Sequence, residues 1–408
     1  MTLARTTAHP APRSPFSFVV RAGRAARALT TVASALALAA GALALAPAPA
    51  HADGAVPSQE YFSYYPLNTV HQKGITGKGV TIAVIDGPVD TSNPALKGAN
   101  ITDKSRCTIQ DSPEGVRHGT DMAIILVSPI SGVAPDATLY NYQASTAGTI
   151  SNGSCDSKGG GLNTTGALIN QAVEDGAQII SISLSVPDFS NELKWAVTNA
   201  ITKGVIIVAA AGNEAHQDNT TQLGRYSGVV GVSAINSDGT FASYSNWADG
   251  MVTAAFGGPY NTYDVNTGEP VTVHGTSIST PLVAGMLALA RQKWPDATTN
   301  QILQLLVHTG LNPNHDWNKY TGYGAAALGS LVNQDPSQYP DENPIIQKGY
   351  GSEPTAQEVQ DYIDGVAGSL HIDSFPDTYV YRGTDQGVIY DHGSIPVHLG
   401  TSPRYHRK

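Results

Sequence analysis

From Val80 onward, short and nearly unbroken apolar runs alternate with segments whose apolar residues recur at helical spacing. Val80–Asp86 reads as a buried strand and Ala137–Tyr142 as another. Asn163–Asp175 places Leu168, Ile169, Ala172 and Val173 at helical spacing. Ala177–Leu184 predicts a strand, and Asn191–Lys203 a helix with Leu193, Val197 and Ile201 on one face. The strands Val205–Ala211 and Val229–Ile235 follow, then the helices Ser277–Trp294 and Thr299–Thr309. Strands that are apolar on both faces and alternate with helices predict an α/β fold: a doubly wound, mostly parallel sheet with helices on both faces. In such sheets ligands gather beyond the carboxyl ends of the strands.

The regular pattern fades after Leu331. Asn333–Asn343, rich in Pro, Asp and Gln, reads as a linker. Beyond it, Thr355–Ala367 is helical in pattern, and Thr378–Tyr390, with Tyr and Val around Arg382-Gly383-Thr384, fits a hairpin. The expected organisation is a leader over 1–52, a main domain over 53–332, and a linker with a small C-terminal extension over 333–408.

The leader differs in kind from the rest. Arg21, Arg24 and Arg27 precede an Ala/Leu run from Ala33 to Ala46, and Ala50-His51-Ala52 supplies small residues for cleavage. This is the pattern of a secretory signal peptide. The run is shorter than the roughly 20 residues of a membrane span, and a Pro-rich stretch closes it. With no paired arginines, general export is favoured over the twin-arginine route. The expectation is a secreted, extracellular protein with no membrane anchor after signal removal, beginning near Asp53. Without the five arginines of the leader, which holds no acid, 23 basic residues fall to 18 and the net charge goes from −10 to −15. Such a surface repels polyanions, and no Lys/Arg-rich patch offsets it, so nucleic acid is not an expected partner. The only cysteines are Cys107 and Cys155. In an exported chain an even pair favours a disulfide over two free thiols.

Three segments place a polar residue where packing does not require one. Asp86 closes the apolar run Thr81-Ile-Ala-Val-Ile. His118, in Arg117-His118-Gly119-Thr120, opens an apolar helix. Ser277, in His274-Gly275-Thr276-Ser277-Ile278-Ser279-Thr280-Pro281, opens another. Each alone also fits a turn or helix cap, or a solvent-facing imidazole. Together they supply a carboxylate, a proton acceptor near pH 7 and a hydroxyl at the positive end of a helix. Their order along the chain, Asp then His then Ser, is that of one of the known serine-nucleophile arrangements.

These segments resemble the motifs of the subtilase family. Ala83-Val-Ile-Asp86, His118-Gly-Thr and Gly275-Thr-Ser277-Ile-Ser-Thr-Pro281 match its Asp, His and Ser motifs. Gly132-Val-Ala-Pro-Asp136, Ala210-Ala-Gly212-Asn213-Glu214 and Gly322-Tyr-Gly324-Ala-Ala match further segments, over about Tyr65–Leu331. The resemblance implies a subtilisin-like fold and serine endopeptidase activity on protein or peptide substrates. It implies Ser277 as nucleophile, His118 as base, Asp86 as its orienting carboxylate and Asn213 as an oxyanion donor. Ser183, Leu184, Ser185, Gly212 and the run Gly159-Gly160-Gly161 fall where the family binds substrate, although the glycine run also fits a flexible loop. No cofactor or metal is expected, the loop Ser128–Ser131 being too short for the family's calcium loop, and a monomer is expected.

The sequence departs from the family in places. Gly87-Pro88 follows Asp86 where Ser/Thr then Gly is usual, and Asp86-Gly-Pro-Val-Asp90 resembles subtilases that trim precursor peptides. Asp121 replaces the second His of the His motif, and Leu282 follows Pro281 in place of a His. Ser183-Leu184-Ser185-Val186 stands for Ser-Leu-Gly-Gly, which predicts a narrower first pocket. Fewer than 30 residues separate Ala52 from Val80, too few for a separate inhibitory prodomain. Tyr61, Phe62, Tyr64 and Tyr65 within them are expected to pack on the main domain. Three readings follow: a secreted endopeptidase, a dedicated maturation protease for one exported precursor, and a catalytically silent binding protein on the same fold.

Overall fold

The computed structural model describes residues 58–144, 153–157, 162–186, 190–219, 222–312, 316–349 and 352–364. The leader, the glycine run 159–161 and the suggested hairpin 378–390 lie outside them.

Two short helices, α1 (Glu60–Tyr64) and α2 (Leu67–Gln72), lead into β1 (Thr81–Asp86) and the short β2 (Ile101–Asp103). Helix α3 (Pro113–Val127) and β3 (Thr138–Gln143) follow, then the single turn α4 (Ser154–Ser157) and α5 (Thr165–Glu174). Next come β4 (Ile179–Ile182), α6 (Asn191–Thr202), β5 (Ile206–Ala210), β6 (Val229–Ile235) and β7 (Met251–Phe256). A hairpin, β8 (Tyr260–Tyr263) and β9 (Pro270–Val273), precedes the long α7 (Thr276–Lys293). Helices α8 (Thr299–Thr309), α9 (Leu328–Asn333) and α10 (Ala356–Ile363) complete the described chain.

Seven strands form one parallel sheet in the order β2-β3-β1-β4-β5-β6-β7. Successive strand residues face opposite sides, and both sides are apolar. Ile82, Val84, Ile206 and Val208 join α3, α7 and α8 in one core, while Ala83, Ile85, Ile207 and Ala209 join α5 and α6 in the other. The doubly wound reading is therefore correct, and the near-continuous apolar strands are its cause. Each large apolar side chain buried this way contributes about 1.5–3 kcal/mol. After β1 the chain builds outward to β3, then returns across β1 to β4. The crevice at this switch lies beyond the carboxyl ends of β1 and β4.

The tyrosines ahead of β1 are part of the main core. Tyr61 is fully buried and donates its hydroxyl to Ser131 O at 2.9 Å, and the Tyr65 hydroxyl accepts from Phe256 N. The stretch expected as a linker is also packed. Gln301 and Gln304 of α8 donate side-chain N–H groups to Tyr339 O and Glu342 O. Ile345 is 1% exposed, and the Lys348 ammonium is buried. Helix α10 then docks Tyr362 on Trp195 of α6, with a Lys194–Glu358 ion pair of 2.7 Å. Pro and polar composition suggested loose chain here. The few apolar residues and one buried charge instead fasten the segment to the domain. Among the described residues no helix is long and apolar enough to cross a membrane.

Candidate active site

Asp86 ends β1 with its side chain wholly buried. One carboxylate oxygen, Oδ1, accepts from Gly87 N and from His118 Nδ1, both at 2.7 Å. The other, Oδ2, has no hydrogen-bond partner among the described residues. His118, expected to open its helix, instead lies in the second turn of α3, because Ser112 caps the helix and Pro113 starts it; it reaches Asp86 because α3 lies flush on the turn after β1. A Cβ on Gly119 would come within 2.2 Å of Gly87 O, so only glycine permits that approach. Burial disfavours the charged imidazole, but the charge and hydrogen bond of Asp86 outweigh it, with help from Asp121. The His118 pKa therefore lies above that of a free histidine. With Nδ1 committed to a carboxylate, Nε2 is the nitrogen free to exchange a proton.

Ser277 stands in the first turn of α7. Pro281, on the next turn, has no N–H for the Ser277 carbonyl, and a prolyl interruption normally costs a helix a hydrogen bond. Ser183, just past β4, replaces it: its hydroxyl donates to Ser277 O at 3.0 Å. The Ser277 hydroxyl in turn donates to Ser183 O at 3.3 Å. Ser183 thus positions Ser277 rather than simply lining the cleft.

Asn213 follows β5 at the same sheet edge. Its Oδ1 accepts from the Thr276 backbone N–H (2.8 Å) and hydroxyl (3.1 Å), capping α7 from outside the helix. That arrangement leaves the Nδ2 group unbonded among the described residues. The turn carrying it is held by Asn246, whose Oδ1 accepts from Glu214 N and whose Nδ2 donates to Glu214 Oε2. Gly212 makes this possible. Its φ is +96°, and a Cβ there would lie 2.4 Å from Asn246 Nδ2.

His118, Ser277, Asn213, Gly212 and Ser183–Ser185 all line one cleft of about 860 Å³. Asp86 sits behind His118. Of the two side chains expected to narrow the pocket, only Ser185 lines the cleft, whereas Val186 is buried in the α5/α6 core. The expected narrowing at Val186 is thus corrected: the strand ends at Ile182, and the chain turns Val186 inward. Asp121 is buried and bonded to Arg117 (2.8 Å), Thr262 (3.0 Å) and Tyr260 (3.3 Å). Burial raises its pKa to about 6 against the pull of Arg117. A 2.04 Å disulfide joins Cys107 and Cys155 within a small core with Ile109 and Leu162. Sequence reasoning missed Asn246, Thr276 as the orienter of Asn213, and Gln222, a further cleft residue. Only Thr276 carried a signal, its place beside Ser277.

A doubly wound parallel sheet with an Asp–His pair, a helix-start serine and a capped asparagine at one edge defines a class, and comparison with known proteins agrees. Residues 77–324 match the model of the subtilase family, and the chain belongs to that family. It is 33% identical over 252 residues to a thermostable alkaline protease of Halalkalibacterium halodurans, covering 60% of this chain and 66% of that protein. It is 32% identical over 263 residues to subtilisin E of Bacillus subtilis, covering 59% and 62%. The chain thus spans less than two thirds of the length of either relative. The solved structure of the prenylagaramide maturation protease PagA superposes with a TM-score of 0.51 at 23% identity, over 65% of this chain and 96% of that one, a likeness of fold.

Proposed function

We propose that the protein is a secreted serine endopeptidase that hydrolyses peptide bonds through an acyl-enzyme. The observation that carries the reading is the 2.7 Å contact between His118 Nδ1 and a buried Asp86 in the cleft that Ser277 lines. In this reading Ser277 Oγ attacks the scissile carbonyl while His118 Nε2 takes its proton, and His118 then returns it to the leaving amine. Asp86 holds the imidazole in the tautomer with Nδ1 protonated and stabilises the imidazolium. The Asn213 Nδ2 group and the Ser277 backbone N–H receive the oxyanion. One such donor contributes about 3–4 kcal/mol, a figure known from subtilisin itself. Water then releases the acyl group by the reverse sequence. Export is supported by the leader pattern and the paired cysteines.

A second reading, a maturation protease for one exported precursor, is favoured by the Asp86-Gly-Pro-Val-Asp90 run. Cleavage of a diverse peptide library separates the two, since a dedicated enzyme cuts few sequences. The central test is a fluorophosphonate probe. It is expected to label the secreted protein at Ser277, and Ser277→Ala is expected to lose both labelling and peptidase activity with its melting temperature unchanged. Substantial turnover by the purified variant would refute the assignment of Ser277.

A further inference from the structure

Gln222 is 5% exposed and lines the same cleft as Ser277, yet among the described residues neither its Nε2 nor its Oε1 has a hydrogen-bond partner. Among the described residues it is the only carboxamide with both ends unpaired and buried. A buried amide left this way carries the full cost of desolvation, and native structures seldom retain one without a use. Its location supplies the use. In the peptidase reading the carbonyl being cleaved sits against Asn213, and the side chain of the residue before the scissile bond enters the adjoining part of the cleft. Leu184, Ala210, Ala211 and Gly212 line the same cleft as Asn213 and Gln222.

We infer that Gln222 recognises a substrate side chain ending in a carboxamide, glutamine above all, at the residue before the scissile bond. The inference rests on the peptidase reading above. A carboxamide presents one donor edge and one acceptor in the geometry that pairs reciprocally with Gln222. An ammonium or guanidinium has no acceptor and leaves Nε2 unpaired. A carboxylate has no donor for Oε1, and it would meet Asp218 and Glu214 in the same cleft. An apolar side chain pairs neither end. A single hydroxyl oxygen cannot meet both ends in line. Sites with buried polar groups discriminate strongly against analogues that leave those groups unpaired.

The test uses the full-length secreted protein and peptides that differ only at that residue: Gln, Met, Lys or Ala. The expected kcat/KM for Gln exceeds that for Met, its near-isostere, and that for Lys by about tenfold or more. Gln222→Met is expected to collapse the Gln/Met ratio to near one. Gln222→Glu, a second variant that guards against misfolding of the first, is expected to shift preference toward Lys. Probe labelling at Ser277 with no preference for Gln in the unmodified protein overturns this inference alone. So does a Gln/Met ratio unmoved in both variants. Absence of labelling together with absence of cleavage overturns the peptidase reading and this inference with it.

Discussion

Two regions of this protein bury a charge, and they treat it in opposite ways. In the strap that follows α9, the Lys348 ammonium donates to three backbone carbonyls: Gly224 O at 2.7 Å, Gly250 O at 3.0 Å and Val229 O. An ammonium has three N–H donors, and here all are used. Burial presses the Lys348 pKa well down, and the three carbonyl dipoles favour the charged form in return. Behind the cleft, the Asp86 carboxylate accepts two hydrogen bonds on one oxygen and, among the described residues, none on the other. Its partner His118 is 26% exposed and can change its charge. The saturated charge fastens the chain, whereas the unsaturated one retains the capacity to stabilise a second charge when that appears. Gln222 belongs with Asp86 in this respect, since a polar group unpaired in the resting state has something left to give a substrate.

The largest expected effect separates the two charges by function. Asp86→Asn keeps the shape but removes the charge that stabilises an imidazolium. It also offers an N–H where His118 needs an acceptor. A fall in kcat of about 10³- to 10⁴-fold is expected, with a melting temperature at or above that of the parent. Steady-state kinetics on correctly folded variant checks this, and a loss below tenfold would break the contrast.

The converse change is Lys348→Met. It removes the donor to three buried carbonyls, each of which costs free energy when unpaired, and a loss of about 2–4 kcal/mol in unfolding free energy is expected. Activity per folded molecule should not change, because none of the three carbonyls that Lys348 binds belongs to a residue lining the cleft. Urea unfolding read beside kcat at a temperature where both proteins are folded makes the comparison. A variant as stable as the parent would show that the strap is held by Ile345 and the α8 contacts instead.

Asp121 lies between the two extremes, since it is buried and bonded but faces Arg117, His118, Tyr260, Thr262 and Tyr61. Its pKa rises from 3.8 in the free side chain to about 6 in the fold. Folding therefore takes up a proton in that window, and the stability due to this group is greatest below pH 4. It declines as pH rises to about 6, by up to ~3 kcal/mol. Asp121→Asn should flatten this slope in stability measured against pH. Because the Asp121 charge helps raise the His118 pKa, the same variant should move the acidic limb of kcat/KM to lower pH. An unmoved limb would mean that Asp86 alone sets the protonation of His118.

Several elements were legible to the residue. Val229–Ile235 and Thr299–Thr309 occur as the hydropathy pattern predicts. Most other ends shift by one or two residues, as for β4, whose predicted span Ala177–Leu184 pairs only over Ile179–Ile182, while α10 ends at Ile363 and not at Ala367. Apolar periodicity reports burial, while a strand ends where the neighbouring strand stops offering partners. The local settings of Asp86 and Ser277 were legible for a related reason. Asp86 closes a strand and Ser277 opens a helix, as a short local context suggests, whereas His118, expected at a helix start, lies in the second turn of α3, with Gly119 where the backbones touch. Val186 shows the limit: the sequence suggests a side chain in the pocket, and one turn of the chain sends it to the core.

By itself, then, the sequence determined the α/β alternation, the two apolar faces of the sheet and the order of the three motifs, because all are written in contiguous residues. Tertiary structure alone decided what surrounds them. Asn213 is oriented by Thr276, 63 positions away, and its turn is held by Asn246. Lys348 meets carbonyls 98 to 124 positions away, and the strap with the composition of a linker becomes part of the domain. A carbonyl has no identity in the sequence, since every residue carries one. Which carbonyls converge on a lysine, and which amide is left unpaired beside a serine, depends on how distant elements pack and not on any local pattern.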